Sequence, residues 1–250
     1  MGLAKTCLVI DSRKAERISL DGPALRVRMH AQSSRLFPLR RLSRIHVLGD
    51  PLNGFDALIY CAERQIPVAF FTATGKLRCQ LYFPVFENSI IAHWLEHVEF
   101  DVAARQQYDE WLLYQTLHLL SLMGCTHGAR ELRLKLVDER LNHLCKQKLG
   151  ERKFQLAMEW LNGIMTVHLS QIIVNQGLAD QSRGKRQLMS DVMPLYELWL
   201  RYHLAQRLDR KVLNVAAQDM SEFYQEHSEQ VEYMFKRMLT QLASRLEAIV

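Results

Sequence analysis

The protein has 250 residues, of which 48% are hydrophobic and 24% charged, with ten His and five Cys. These proportions are those of a folded globular chain and exclude collagen-like, disordered and disulfide-dense classes. Length allows one large domain or two small ones. Lys and Arg outnumber Asp and Glu by 32 to 27, a net charge of +5. The excess sits at one end. Residues 1–84 carry 13 basic and 6 acidic side chains, a local +7, while residues 85–250 stand at −2. A basic first third suits a polyanion, because Lys and Arg release counterions condensed on phosphates. An ordinary basic surface gives the same arithmetic, so charge alone does not decide.

Cys7, Cys61, Cys79, Cys125 and Cys145 are odd in number, scattered, and without a C-x-x-C pair. The spacing predicts neither a disulfide framework nor a four-thiolate zinc site; small buried thiols are expected. No run of about 18 apolar residues predicts a membrane span. The opening MGLAKTCLVID lacks the apolar core and cleavage site of a secretory signal. MGLAKT fits the loose myristoylation pattern but leads straight into a strand. The expected compartment is the cytoplasm, with no membrane partner.

Along the chain, CLVI (7–10), ALRVRM (24–29) and RIHVL (44–48) read as strands, punctuated by Asp21-Gly22 and Gly49-Asp50-Pro51. ALRVRM alternates Leu25, Val27 and Met29 with Arg26 and Arg28, as a half-buried strand should. Residues 53–64 read as a helix with Phe55, Leu58, Ile59 and Ala62 on one apolar face. IPVAFF (66–71) is a buried-strand run, and KLRCQLYF (76–83) follows the Thr74-Gly75 turn. After Pro84 the period becomes helical. The pattern predicts helices over 88–107, 108–123, 128–148, 151–176, 187–208 and 216–248. Leu132, Leu136, Leu141 and Leu144 fall near one face of the third, and Phe223, Val231, Met234, Phe235, Met238, Leu242 and Leu246 along the last. The expected class is α+β: a β-rich domain over 1–84 and a helical domain over 85–250.

This order, with three motifs in it, resembles the CRISPR-associated spacer integrases, the larger subunit of the complex that inserts spacers into a CRISPR array. LVIDSRKAERISLDGPALRVRM is similar to that family's opening strands, and RLFPLRRLSRIHVLGD to its basic linker and following strand. LNGFDALIYCAERQIPVAFFTATGKL resembles its helix, V-x-F strand and glycine turn. In the helical part, LMGCTHGAREL (122–132) and NQGLADQSRGKRQLMSDVMPLYE (175–197) carry a weaker, local likeness. The resemblance implies homodimers pairing through the β-rich domain, a small ferredoxin-like partner subunit, and basic surfaces holding double-stranded DNA. It also implies strand transfer by a 3′-hydroxyl, with Mg²⁺ or Mn²⁺ held by a Glu, a His and an Asp.

That ligand set is incomplete here. Asp191 stands where the family has its Asp, the one tentative metal ligand. The family's Glu lies between two glycines; this chain has Cys125-Thr126-His127 between Gly124 and Gly128. The family's His falls in a loop after a Gly-Leu pair; here DQSRGKRQ follows Gly177-Leu178 without a His. A single carboxylate holds Mg²⁺ weakly. His127 could replace the Glu, with His168 or Glu131 approaching Asp191, and imidazole suits Mn²⁺ better than Mg²⁺. Otherwise His127 is an exposed loop residue, Asp191 a structural cap, and no cofactor is expected.

His93-Trp94-Leu95-Glu96-His97 matches the H-x-x-E-H zinc pattern, and also fits a helix surface with Trp94 turned inward. Arg35, Arg40, Arg41 and Arg44 form a basic cluster suited to DNA phosphates or to guarding an edge strand. Arg183, Lys185 and Arg186 form a second, expected in a loop beside Asp191 where cations hold a phosphate without metal. Trp160, Met158, Trp199, Tyr202, Met234 and Phe235 read as core or interface. No G-x-G-x-x-G, P-loop or G-x-S-x-G occurs. The leading expectation is a DNA-positioning subunit of CRISPR adaptation with impaired catalysis. Its rivals are an active metal-dependent endonuclease or integrase using Asp191 and His127, and a dimer repurposed to bind protein.

Overall fold

ALRVRM forms a strand with the expected bounds, β3 (Ala24–Met29), its Leu25 and Val27 buried and its Arg26 and Arg28 exposed. In this computed structural model the described residues are 5–30, 32–50, 53–81, 91, 95, 98, 100–125, 130–177, 183–210 and 214–247. For residues 130–133, 183–187, 210 and 246 the description is of the backbone. The remaining strands are β1 (Thr6–Asp11), β2 (Ala15–Asp21), β4 (Arg35–Pro38), β5 (Leu42–Leu48), β6 (Val68–Phe71) and β7 (Leu77–Leu81). Helix α1 (Phe55–Glu63) joins β5 to β6. The helical part holds α2 (Val102–Leu122), α3 (Arg130–Leu149), α4 (Glu151–Asn175), α5 (Arg183–Arg210) and α6 (Ala217–Glu247). The chain is α+β, as its periodicities predict.

Two sheets form. One has the order β1-β5-β6-β7, parallel across its first three strands and antiparallel at β7; the other is the antiparallel β2-β3-β4. Strands β2 and β4 go beyond the sequence expectation. In β2 the register shifts between Ala15 and Arg17, so Ala15 and Ile18, three residues apart, are both buried. A bulge of this kind erases the period of two on which a strand is read. Four-residue β4 is an edge strand with no alternation to detect. Between the sheets and α1 lies one apolar core that includes Ile18, Leu25, Ile45, Val47, Leu58 and Val68. Helix α1 buries Ala57, Leu58, Cys61 and Ala62, a face turned from the expected one; Phe55 and Ile59 are exposed.

Where the residues are described, the helical boundaries match the expectation within a few residues, with two corrections, and the start of the helix expected over 88–107 lies outside the described residues. No break occurs at residue 107: α2 runs unbroken from Val102, its start fixed by Asp101, whose carboxylate accepts from the Ala103 and Ala104 amides at 2.7 and 3.1 Å. That is an N-cap, which satisfies amides the first turn leaves unpaired. Helix α5 begins at Arg183, so the expected basic loop is a first helical turn. Cations there oppose the helix dipole, which is why the stretch reads locally as a loop. Among the thiols, Cys61 and Cys145 are buried as expected, whereas Cys79 is exposed.

The chain divides into two compact units. The first comprises residues 1–84, 156–171 and 215–227; the second comprises 85–155, 172–214 and 228–250. In the second, Arg201 on α5 pairs with Asp138 at 2.5 Å and donates to Asn142 at 2.9 Å, both on α3. Trp111 Nε1 on α2 donates to the Met238 carbonyl of α6 at 3.1 Å. In the first, Gly54 begins α1 with φ +98°, and a β-carbon built on it falls 1.7 Å from the Ile18 carbonyl oxygen. Since that obstacle is backbone, Gly54→Ala should cost about 3–5 kcal/mol of stability, measured by urea unfolding.

Candidate functional site

Strand β5 carries the first set of chemically interesting side chains. Ile45 and Val47 belong to the apolar core, so alternation sends Arg44 and His46 to the other face. Residues of α4 and α6 within the same unit cover that face. The His46 ring meets Phe71 edge-on at 5.1 Å, and its Nδ1 lies 3.3 Å from Cys7 Sγ and 3.4 Å from Ser221 Oγ. His168 Nδ1 bonds the Tyr224 hydroxyl at 3.0 Å. Arg44 is only 7% exposed, with its guanidinium over the Tyr224 ring at 5.6 Å. Arg44 Nη1 and His46 Nε2 are buried without a hydrogen-bond partner among the described residues.

This cluster is not a nucleophile's environment. Burial pushes the Cys7 thiol up to about 12, against the lowering effect of Arg44, so it stays protonated. Burial also lowers His46 to about 3, helped by the charges of Arg44 and His168, and keeps the ring neutral.

The other arginines of the expected cluster are exposed. Arg35 lies on edge strand β4, and Arg40 and Arg41 in the 3-10 turn Leu39–Arg41 that follows. The structure therefore groups Arg35, Arg40 and Arg41 along one exposed segment and places Arg44 in the interior. Sequence reasoning passed over the outer face of the β2-β3-β4 sheet. Arg17 stands opposite Arg28 and Ser19 opposite Arg26 there, all outside the core. Arg26 pairs with Asp21, and Arg28 with Glu16 at 3.1 Å. The alternation of Arg26 and Arg28 in ALRVRM was the available signal.

In the second unit, half-buried Asp191 on α5 accepts a hydrogen bond through Oδ2 from the Tyr108 hydroxyl of α2 at 2.9 Å. Tyr108 is almost wholly buried; burial first, and then the Asp191 charge, raises its pKa, so it remains a donor. No motif could have found this tyrosine, which lies 83 residues away in sequence. His127 lies outside the described residues, as do His93, Trp94, Glu96 and His97; so do the side chains of Glu131, Arg183, Lys185 and Arg186. His168 belongs to the first unit, with Tyr224 as partner, and Asp191 to the second, with Tyr108. Among the described residues no three His, Cys, Asp or Glu side chains converge to hold a metal ion. Mg²⁺ and Mn²⁺ take several oxygen ligands, of which Asp191 can supply one carboxylate while the Tyr108 hydroxyl orients it.

Comparison with known proteins now has a geometry to test. Residues 8–101 match the family model of the CRISPR associated protein Cas1. A Cas1 protein from Thermotoga maritima superposes with a TM-score of 0.66 at 11% identity, covering 97% of this chain and 96% of that one. A casposase bound to integration product gives 0.64 at 13% identity, over 97% and 91%. A Cas1–DNA complex gives 0.51 at 11% identity, over 96% and 97%. No curated protein matches by sequence. The family model takes in the β-rich part, and the likeness in fold to the solved Cas1 and casposase structures continues through the helices.

Neutral His46 has a consequence for acid stability. Unfolded, the ring takes a proton near 6.5; folded, only near 3. Between these values the unfolded state binds more protons, so stability is complete above pH 6.5 and falls as pH drops toward 3. The contribution lost by pH 5 is about 2 kcal/mol. Urea unfolding at pH 7 and pH 5 should show that loss, and His46→Gln should have a flatter pH dependence whatever its absolute stability.

Proposed function

We propose that this protein is a DNA-positioning subunit of the CRISPR-adaptation type in which metal-dependent strand transfer is lost or weakened. Asp191 carries the reading. By the motif resemblance it stands where the family has a metal ligand, and a buried phenol engages it. The positions where the family has Glu and His hold Cys125-Thr126-His127 and a basic stretch without either. Asp191 then serves as a tie between α2 and α5, holding the helical part in shape without a cation.

DNA is held by the exposed cations of the first unit. Arg35, Arg40 and Arg41 follow one another along an edge strand and its turn, within reach of successive phosphates, whereas the flat sheet face beside them has its Arg26 and Arg28 already paired. Such contacts set orientation and carry no sequence information. Pairing of two copies through the β-rich part, and recruitment of a small ferredoxin-like subunit, follow from the family resemblance. The similarly folded Cas1 and casposase structures bound to DNA and to integration product support DNA as the partner class.

Two measurements test the reading. In a half-site integration assay with Mg²⁺ or Mn²⁺, intact protein and Asp191→Ala should both give background strand transfer. Robust transfer that disappears in the variant establishes the active-enzyme rival. In gel shifts across salt, replacing Arg35, Arg40 and Arg41 together by Gln should weaken duplex binding and reduce the salt slope by about 1 for each phosphate that is no longer neutralised. Affinity for DNA that is weak and independent of salt in the intact protein favours the protein-binding rival.

A further inference from the structure

We propose that a cavity among α2, α5 and α6 in the second unit binds a small amphipathic anion: an apolar body the size of one ring, bearing a carboxylate. The cavity has a volume of about 250 Å³. That is below the range for drug-sized ligands and suits a fragment-sized molecule. Its floor is apolar, made by Leu119 of α2, Leu195 of α5, and Met234 and Met238 of α6. The Tyr196 ring forms a wall, and its hydroxyl is satisfied internally by the Met238 sulfur at 3.1 Å. Apolar surface continues outward at the mouth, where Leu122 is 52% exposed and Tyr233 65%.

The polar lining is selective in sign. Arg237 and His118 are exposed at the rim, and no Asp or Glu is among the lining residues described. Arg237 has no carboxylate partner among the described residues, so its charge is available to a ligand. A cationic ligand meets repulsion there, while an anion gains a charge-assisted hydrogen bond. Deeper in, Gln115 is only 5% exposed and donates through Nε2 to Gln241 Oε1 at 2.8 Å. The two amides fix each other across the α2–α6 contact. Each amide has hydrogen-bonding capacity beyond that one bond. Apolar floor, amide wall and cationic rim without acids together define the ligand: flat or compact, apolar, and negatively charged at its outer end.

The site stands apart from the DNA reading and is tested without DNA. The full chain is titrated, by calorimetry or amide chemical shifts, with 3-phenylpropanoate, its uncharged amide and 3-phenylpropylammonium. The carboxylate should bind saturably with a Kd on the order of 1 mM. It should be favoured about fivefold over the amide, with the ammonium weakest. Arg237→Gln, a surface change, should abolish the preference for the carboxylate, and Met234→Trp, at a half-buried position, should fill the cavity and remove binding of both. Equal binding of the three probes, undiminished binding in Met234→Trp, or no saturable binding of the carboxylate up to about 10 mM overturns the assignment.

Discussion

Strand β5 is buried on both faces, and the first unit is arranged around that constraint. One face gives Ile45 and Val47 to the core shared with α1 and the second sheet. The opposite face must also be covered, and it carries Arg44 and His46. Covering a guanidinium and an imidazole costs solvation, which polar partners only partly return. The polar neighbours Cys7, Ser221, His168 and Tyr224 reflect that demand. So does the neutral state of His46: the ring sheds its charge rather than keep it away from water.

The same constraint sorts the arginines. Position in the sheet, not position in the sequence, decides which cations can meet a polyanion. Arg40 and Arg41 leave the sheet in a 3-10 turn and stay in water, while Arg44, three residues on, enters a central strand. An apparently continuous basic stretch is thus an exposed trio and one interior charge. Contacts that an exposed trio of this kind can make with phosphates are electrostatic and set position without reading sequence.

In the second unit the corresponding constraint is the Tyr108–Asp191 bond. A buried phenol needs an acceptor, and a half-buried carboxylate is better held by a donor than left alone. One interaction meets both needs and fixes α2 against α5. It also commits one oxygen of Asp191 to packing.

Much of the fold was legible in the sequence because periodicity is a local property. Period two in ALRVRM and period 3.6 after Pro84 placed β3 and the helical part, and the motifs of residues 3–83 pointed to the Cas1-like family. Strand β2 escaped because a bulge breaks its period, and the start of α5 escaped because its charges oppose its own dipole. The expected face of α1 was rotated, since which apolar residues are buried depends on what packs against them. The basic cluster and Asp191 were visible as residue types at spacings. Tertiary structure alone decided that Arg44 is interior, that Asp191 belongs to a tyrosine 83 residues away, and that three helices line a cavity with Arg237 at its rim. Each of these depends on contacts between distant segments, and no local pattern encodes them.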